Sequence, residues 1–513
     1  MFQLAPLIAA IFAAHDLTVK VVKSHITGIG IDTLANRPAD FTIVPEGFIV
    51  LGIPIGSHEY TSNAIRDMVE GMAPPSLALK LLRPRTRFTL VSKCMYFWPS
   101  HLFKGILHWT AAGEAPRNFD DRIVAEVGAI FDLPVTPTLK TRIGLTRTHG
   151  GLGLKPHNGM ISEKGQILSR LIFTKFLTLH YPSEVDYATH IFQGTPIHLG
   201  TIEGVEDLTE ITAEMEAGMT HTTAKSTLSA GQYKVATKVA GDLHQATLAV
   251  SPQLAAWELS KPHSGTGFMD STVGSLHEKF LRSDDYICAG RARLGAGASN
   301  VPPPPFHCGC HQLVDLATNP LHGISCFLNN FKRKWAHTDL LDEVYRLISK
   351  RYPNAPKAKE VEVGRTAPDM NGATHAVIAD IVVTIHTTRY IIDVTIVDPG
   401  CQKSLTSLSH VNQDAAAKRK ELTKKAHYRR VVTPARLQEG SIVPFVVEAS
   451  GRLGPLAMSF LFTICGTQTL LRSKFLNEVN LTCARMNGGC LRSTRDRIAQ
   501  YPQNVGVAGP MPE

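Results

Sequence analysis

The chain has 513 residues, of which 43% are hydrophobic and 19% are charged, a composition typical of globular domains with an ample core. Its nine cysteines are odd in number and scattered, which argues against a disulfide framework and for a reducing compartment. We therefore expect an intracellular protein, nuclear or cytoplasmic rather than secreted. The net charge of +9 permits a polyanionic partner.

The first part of the chain predicts α/β pieces followed by helices. Residues 1–56 predict a helix, an extended segment at Thr18–Ile29 and a strand at Phe48–Ile55. Met1–Ala14 is apolar, but it lacks a basic n-region and is too short to span a bilayer. From Ala64 to Ile106 the hydrophobic spacing is helical.

Three later stretches bear on candidate sites. Phe119–Asp121 precedes helical spacing, so its aspartates are interpreted as a helix N-cap. Gly150–Leu154 lacks the Lys-Ser/Thr ending of a phosphate loop and predicts a turn in which backbones pack closely. Residues 161–300 predict a helical connector, in which Arg291 and Arg293 suit nucleic-acid contacts or a solvated helix face equally well.

A compact group of metal-binding residue types follows the proline run Pro302–Pro305. Three thiolates and an imidazole are the usual donors of a structural, tetrahedral zinc site, and a short loop between the pairs suits that geometry. His307 and His311 flank the first pair and could substitute, and free cysteines in a loop are the alternative. The predicted zinc ligands are Cys308, Cys310, His322 and Cys326.

A hairpin is predicted over Ala376–Asp398, where two arms rich in Val, Ile and Thr flank a polar turn at His386–Arg389. Each arm carries one carboxylate, Asp380 in the first and Asp393 in the second. Burying an ionised carboxylate is costly unless it is paired or binds a metal. The two acids therefore predict a shared cation, and salt-bridged or edge residues are the alternative.

The elements around this hairpin follow the order α-β-β-β-α-β, which is that of restriction-enzyme-like nucleases. A helix at Thr338–Lys350 and a strand at Val361–Gly364 precede it, and a lysine-rich helix at Val411–Arg430 and a strand at Ile442–Glu448 follow it. Basic clusters lie around these elements and suit phosphate contacts, unless they are solvated helix faces. The first cluster is Lys332, Arg333 and Lys334.

Taken together, the chain resembles the C-terminal portion of non-LTR retrotransposon polyproteins of the restriction-like-endonuclease type. Asp16–Ser24 resembles the end of their reverse transcriptase palm, and Val50–Ile53 resembles their primer-gripping strand. The cysteine group, with Trp335–His337 after it, resembles their C-x-C…H-x-x-x-C…RH sequence, although Ala336 replaces the usual Arg.

The resemblance implies a multidomain α+β fold, with a mostly helical thumb and linker, a small zinc knuckle and an α/β restriction-endonuclease-like C-terminal domain. The implied boundaries are 1–56 for the palm remnant, 57–160 for the thumb, 161–300 for the connector, 301–337 for the knuckle, 338–490 for the endonuclease and 491–513 for a disordered tail.

In that family the nuclease nicks chromosomal DNA and the polymerase extends the nick by copying element RNA, so the resemblance implies DNA and element RNA as partners. It also implies catalytic Mg²⁺ at Asp380 and Asp393, besides structural Zn²⁺ in the knuckle. The family carries its catalytic lysine on the next helix, ahead of a Tyr. Lys425 is the best match and Lys424 the runner-up. Lys23 matches a lysine near the incoming nucleotide's phosphates.

The sequence departs from the family at several points. No aromatic-x-Asp-Asp box precedes Lys23, so we expect no intact polymerase site. Ala379 stands where the family has Pro before the first acid, and Pro368–Asp369 is the alternative match. His427 occupies the place of a second Lys. The sequence predicts a metal-dependent DNA endonuclease fragment, and the alternative is a nucleic-acid-binding remnant that does not cut.

Overall fold

A computed structural model describes most of the chain. The described residues are 25–26, 42–43, 46–50, 53–72, 76–96, 114–155, 221–262, 269, 281–298, 305–308, 310, 312–368, 370, 372–432 and 441–500. Several predictions fall outside them: those for Lys23 and the palm segment around it, for residues 161–220 of the connector, for His311 and for Asp369.

Helices account for most of the described elements. In chain order they are α1 (His58–Gly71), α2 (Ser76–Lys80), α3 (Pro84–Leu90), α4 (Ala115–Phe131), α5 (Pro137–Gly144), α6 (His221–Val250), α7 (Pro252–Ser260), α8 (Ser283–Arg293), α9 (His322–Ser325), α10 (Asn330–Arg351), α11 (Gln402–Leu405), α12 (Ala415–Val431), α13 (Pro455–Cys465) and α14 (Thr469–Gln500).

The strands form one four-stranded sheet and three two-stranded pairs within the described residues. They are β1 (His25–Ile26), β2 (Thr42–Ile43), β3 (Gly47–Val50), β4 (Ile53–Gly56), β5 (Phe306–His307), β6 (Leu313–Val314), β7 (Lys357–Arg365), β8 (Ala376–Ile385), β9 (Thr388–Val397) and β10 (Ile442–Glu448).

Two compact units divide the chain. The first comprises residues 1–76, 90–123 and 155–235, and the second comprises residues 77–89, 124–154 and 236–513. In the first unit β3 and β4 pair antiparallel, with Val50 opposite Ile53. The prediction of a single strand over Phe48–Ile55 is therefore wrong. The apolar run gave little sign that the chain reverses its direction between Val50 and Ile53.

The sheet of the second unit has the strand order β10-β9-β8-β7. Strands β7, β8 and β9 pair antiparallel, and β10 joins β9 in parallel through a connection that contains α12. A parallel neighbour needs such a crossover, because a tight turn can only reverse the chain. The predicted order α-β-β-β-α-β is confirmed by α10, β7, β8, β9, α12 and β10, with the short α11 between β9 and α12.

Apolar layers cover both faces of this sheet. On one face the cluster that includes Leu340, Ile392 and Phe445 packs α10, α13 and α14 against the strands. On the other face Ile391 packs against Tyr428 of α12. A central strand buried on both faces reads as a continuous apolar run, and β9 has that pattern around its aspartate.

Three further expectations meet the structure in the described residues. Gly150 and Gly153 have φ of +81° and +78°, which confirms the predicted turn. Asp120 lies inside α4 rather than at its N-cap, because the helix already begins at Ala115. The predicted tail boundary is also wrong, since α14 continues to Gln500 with Leu491 buried. None of the described helices is both long and apolar enough to cross a membrane.

Candidate metal centres

The cysteine group is built on a short hairpin and a one-turn helix. Cys308 follows β5, and its backbone N–H donates to the Gln312 carbonyl at 2.9 Å, closing a tight turn. His322 opens α9 and Cys326 follows it, so one helical turn brings both to the same place. The four predicted ligands are all buried. The local chain therefore converges on a small polar centre under an otherwise apolar shell.

The donor atoms of this group are spaced as metal ligands are. Cys308 Sγ and Cys326 Sγ are 3.8 Å apart, and Cys310 Sγ and His322 Nε2 are 3.4 Å apart. Zn–S bonds of about 2.3 Å and Zn–N bonds of about 2.0 Å at tetrahedral angles place ligand atoms roughly 3.5–3.8 Å apart. All four donor atoms lie within 4.8 Å of one another. The buried Cys3His group can therefore bind a metal ion such as zinc.

The protonation of His322 suits the same conclusion. Burial, with Arg497 nearby, lowers the pKa of His322 and favours the neutral imidazole. Only the neutral ring has a lone pair to give to a metal. The structure brings together the four ligands that the sequence predicted.

The two aspartates lie side by side at one end of the β8–β9 ladder. The paired residues run from Ile385–Thr388 to Ile381–Ile392, and the next residue on each strand is an aspartate. There Asp380 Oδ2 accepts a hydrogen bond of 2.6 Å from the backbone N–H of Val394. The side chain of Asp380 thus occupies a place that a strand carbonyl would otherwise fill.

Each aspartate also has a basic neighbour. His337 Nε2, from α10, is 3.3 Å from Asp380 Oδ2 and 3.0 Å from the Val394 carbonyl oxygen. Lys424 Nζ, from α12, is 2.9 Å from Asp393 Oδ2. The hydrogen bond to Asp380 raises the pKa of His337 above its usual range. Each carboxylate thus has a basic partner, as the salt-bridge alternative requires.

Polar groups around Asp393 fix its orientation. Thr395 Oγ1 donates to Asp393 Oδ1 at 3.2 Å. Tyr428 is buried and donates its hydroxyl to the Ile378 carbonyl at 3.2 Å. Burial and the neighbouring carboxylate of Asp393 raise the pKa of Tyr428, so the hydroxyl stays protonated. These groups, together with His337, Asp380 and Lys424, form what we call the carboxylate cluster.

Of the two candidate lysines, the structure places Lys424 rather than Lys425 beside Asp393. Lys424 makes the ion pair with Asp393, whereas the electrostatic neighbour of Lys425 is Glu421, four residues earlier on α12. Adjacent helical residues point about 100° apart, so only one of two consecutive lysines can face the sheet. Lys424 and Tyr428 are one helical turn apart and both face the strands.

His337 is a member of this cluster that the sequence prediction missed. The resemblance over Trp335–His337 associates His337 with the zinc knuckle alone. The helix spacing held the missing signal, because His337 continues the buried stripe of Leu341, Val344 and Ile348 on α10. A polar residue on the core face of a helix needs a polar partner, and Asp380 is that partner.

The predicted nucleic-acid contacts of Arg291 and Arg293 are contradicted. Both are buried, and their guanidinium groups donate to backbone carbonyls: Arg291 to Gly297 at 2.7 Å and Arg293 to Arg147 at 3.1 Å. Burial lowers the pKa of Arg293 to about 10. Long-range backbone partners of this kind leave no signal in the local sequence. The two arginines tie loops together inside the second unit.

The basic cluster on α10 has a mixed outcome. Arg333 donates from Nη1 to the Ile324 carbonyl at 2.7 Å and so supports α9. Lys334 is exposed, and the Lys332 ammonium lies over the ring of Phe331. Two of the three cations therefore remain available for a phosphate.

A scan against protein-family models and a search of curated proteins found no match to this chain.

Proposed function

We propose that the second unit carries a metal-dependent DNA endonuclease centre of the restriction-enzyme type, in a fragment of a non-LTR retrotransposon polyprotein. The observation that supports it best is the carboxylate cluster itself. Two aspartates follow the last residue pair of neighbouring strands, and a lysine from the helix that follows pairs with Asp393, in a sheet of the expected element order. Fold order alone would not support a function, because function depends on the site.

The residues would share the work of phosphodiester cleavage. Asp380 and Asp393 offer the carboxylate oxygens that Mg²⁺ prefers. When bound, such a cation neutralises developing charge and lowers the pKa of a water. Lys424 holds a fixed positive charge beside Asp393, where a phosphate would gain most from it. The Val394 N–H and the Thr395 hydroxyl hold the two acids in place.

We also propose that the Cys3His group binds one structural zinc ion. The donor set is complete with four protein ligands, so no coordination position is left for a substrate. The zinc would fix the approach to α10, because Cys326 stands four residues before that helix begins. The knuckle thus would hold the helix from which His337 reaches the carboxylate cluster.

Nicking of supercoiled plasmid with Mg²⁺ tests the nuclease. We expect Asp380→Asn and Asp393→Asn each to lower the rate on the order of 100-fold or more, because neither acid alone would hold the cation. Asp342→Asn is the matched control, since Asp342 pairs with Lys359 on the exposed surface. Asp369→Ala should cut like the wild type. Wild-type rates from either cluster variant would contradict the proposal.

A second candidate function is favoured by one feature of the same cluster. Both aspartates already have basic partners, His337 and Lys424, so each has a polar contact without a metal. This is what a nucleic-acid-binding remnant that no longer cuts would retain. Wild-type protein that binds duplex DNA and shows no Mg²⁺-dependent nicking would decide for it.

A further inference from the structure

A groove on the second unit is lined by aromatic and basic side chains that no proposed function has yet used. It lies between the start of α8 and one side of α10 and α14. Its lining residues belong neither to the Cys3His group nor to the carboxylate cluster. The side chains that carry its chemistry are Arg282, Phe331, Lys332, Trp335, Arg485 and Arg492.

Two large aromatic side chains stand exposed in this groove. Phe331 and Trp335 are 65% and 41% exposed, and they lie one turn apart on α10, so they share a face of that helix. Leaving such a side chain in water forgoes about 1.5–3 kcal/mol of burial. Single exposed aromatics are ordinary, but two neighbours in one concave surface indicate a binding site.

Cations lie against both rings. The guanidinium carbon of Arg485 is 4.5 Å from the centre of the Trp335 ring, and Lys332 Nζ is 4.8 Å from the centre of the Phe331 ring. An arginine stacked on an indole extends the flat surface and adds positive charge to it. The remaining exposed ring surface can accept a further flat, electron-rich partner.

The charge of the groove is strongly positive. Its lining holds four cations, Arg282, Lys332, Arg485 and Arg492, and one carboxylate, Asp285, which leaves an excess of three positive charges. Asp285 is paired with Arg492 at 2.8 Å, and Asp339 lies 3.8 Å from Arg485 just outside the lining. A partner with flat apolar faces and repeated negative charge is the complement of this surface.

We propose that this groove binds single-stranded DNA, with bases stacked on Trp335 and Phe331 and phosphates beside the four cations. Aromatic platforms in a basic groove are the usual means of holding single strands, whereas the base faces of a duplex are stacked on one another and out of reach. The choice of DNA rests on the proposed nuclease. Trp335 is two residues from His337, so groove and carboxylate cluster lie on different sides of α10, about 10 Å apart.

Fluorescence anisotropy with labelled oligo(dT) of about 16 nucleotides tests the groove in full-length protein without Mg²⁺. We expect Trp335→Ala to weaken binding by roughly 5- to 100-fold, because stacking contributes about 1–3 kcal/mol per base. Trp335→Phe should recover part of the loss. Phe331→Ala, at the more exposed position, is the second variant should Trp335→Ala fail to fold.

The chain offers a matched control for these variants. Phe462 is 49% exposed and has Arg472 over its ring at 4.3 Å, but it lies outside the groove. Phe462→Ala should leave oligo(dT) binding within about twofold of wild type, since it removes no stacking surface of the groove. Equal losses from Phe462→Ala and Trp335→Ala would overturn the proposal, because any exposed aromatic would then have the same effect.

Two further arms separate this proposal from the nuclease. Asp393→Asn should bind oligo(dT) as the wild type does while losing plasmid nicking. Wild-type protein that binds oligo(dT) through Trp335 but never nicks would remove the nuclease and leave the groove. Tighter binding of oligo(U) RNA or of duplex DNA than of oligo(dT), or unchanged binding in both Trp335→Ala and Phe331→Ala, would overturn the assignment to single-stranded DNA.

Discussion

The second unit contains two clusters of metal-binding residue types, and they differ in the partners that accompany their buried side chains. The Cys3His group brings four donor atoms within 4.8 Å of one another. In the carboxylate cluster each acid has a basic side chain beside it, His337 for Asp380 and Lys424 for Asp393. The donor atoms of the Cys3His group converge on one point, whereas in the carboxylate cluster each acid is paired with a basic side chain.

The chemistry of the donors explains this difference. Thiols and imidazole can be neutral when no metal is bound, so they need no counter-ion to be buried. A carboxylate near neutral pH is charged, and its burial without a partner would be costly. In the carboxylate cluster, Lys424 and His337 therefore occupy positions beside the acids that a metal cation could otherwise occupy. A cation that binds there must compete with Lys424 and His337, whereas the Cys3His group has no such competitor.

Removing two thiols gives the largest expected effect on this comparison. Cys308→Ser with Cys326→Ser should lose the bound zinc and lower the midpoint of thermal unfolding by about 10 °C, since loss of a structural metal is among the largest single destabilisations. Elemental analysis and calorimetry of the purified variant measure the two effects.

A control variant distinguishes the loss of zinc ligands from the loss of a buried cysteine elsewhere. Cys483 is buried in α14, away from the Cys3His group, and Cys483→Ser should keep one zinc per chain. Equal zinc in wild type and in the double variant would remove the Cys3His group from consideration. It would also end the comparison, because the Cys3His group would then not be a set of zinc ligands.

A pair of adjacent lysines sharpens the carboxylate side. Lys424→Met should slow Mg²⁺-dependent nicking on the order of 100-fold, because it removes a fixed charge beside the reacting phosphate. Lys425→Met changes the same charge on the same helix and should stay within about threefold of wild type. Plasmid nicking at saturating Mg²⁺ measures both variants.

A charge-preserving variant guards this test against misfolding. Lys424→Arg keeps the ion pair with Asp393 and should retain more activity than Lys424→Met. Breaking a buried pair can destabilise by about 3–5 kcal/mol, so unfolding by urea should accompany the assay. A large loss in Lys425→Met with none in Lys424→Met would restore the assignment made from the resemblance.

The sequence predicted the sheet better than it predicted the helix that serves it. Apolar runs rich in Val and Ile identified β8, β9 and β10, and the bounds of β10 were correct to the residue. The phase of α12 was readable too, because Ala417, Lys424 and Tyr428 fall on one stripe of the helix. The resemblance favoured Lys425, and that choice ignored the stripe.

Other features could not be predicted from local pattern. Arg291 and Arg293 sit in a helix whose sequence suggests a solvated face, and their burial depends on partners that include the remote carbonyls of Phe131 and Arg147. The hairpin of β3 and β4 was hidden in an unbroken apolar run. For the arginines the partners are remote in the chain, and for the hairpin the apolar run continues up to the chain reversal. Hydrophobic periodicity therefore predicts neither feature.

The smallest expected effect concerns a third carboxylate of the sheet. Glu448, at the end of β10, is buried and accepts a hydrogen bond from the Ala417 N–H at 3.3 Å. Burial, with Asp414 nearby, raises the pKa of Glu448 to about 7 despite Arg452. Asp393 has a lysine 2.9 Å away, whereas Glu448 remains under-compensated. The contrast tests whether burial of a carboxylate in this sheet requires a direct cation.

Since the pKa of Glu448 is higher in the folded chain than in the unfolded chain, its contribution to stability is present at low pH and is lost as pH rises towards 7 and above. Between pH 5.5 and 8 this loss amounts to about 2 kcal/mol of the free energy of unfolding. Glu448→Gln cannot ionise and should flatten the urea-unfolding profile over that range. Glu421, whose pKa is also about 7, keeps part of the slope, and Glu362→Gln on the exposed edge should change nothing. An unaltered slope in Glu448→Gln would mean that Glu448 is ionised in the folded chain and that burial in this sheet does not require a direct cation.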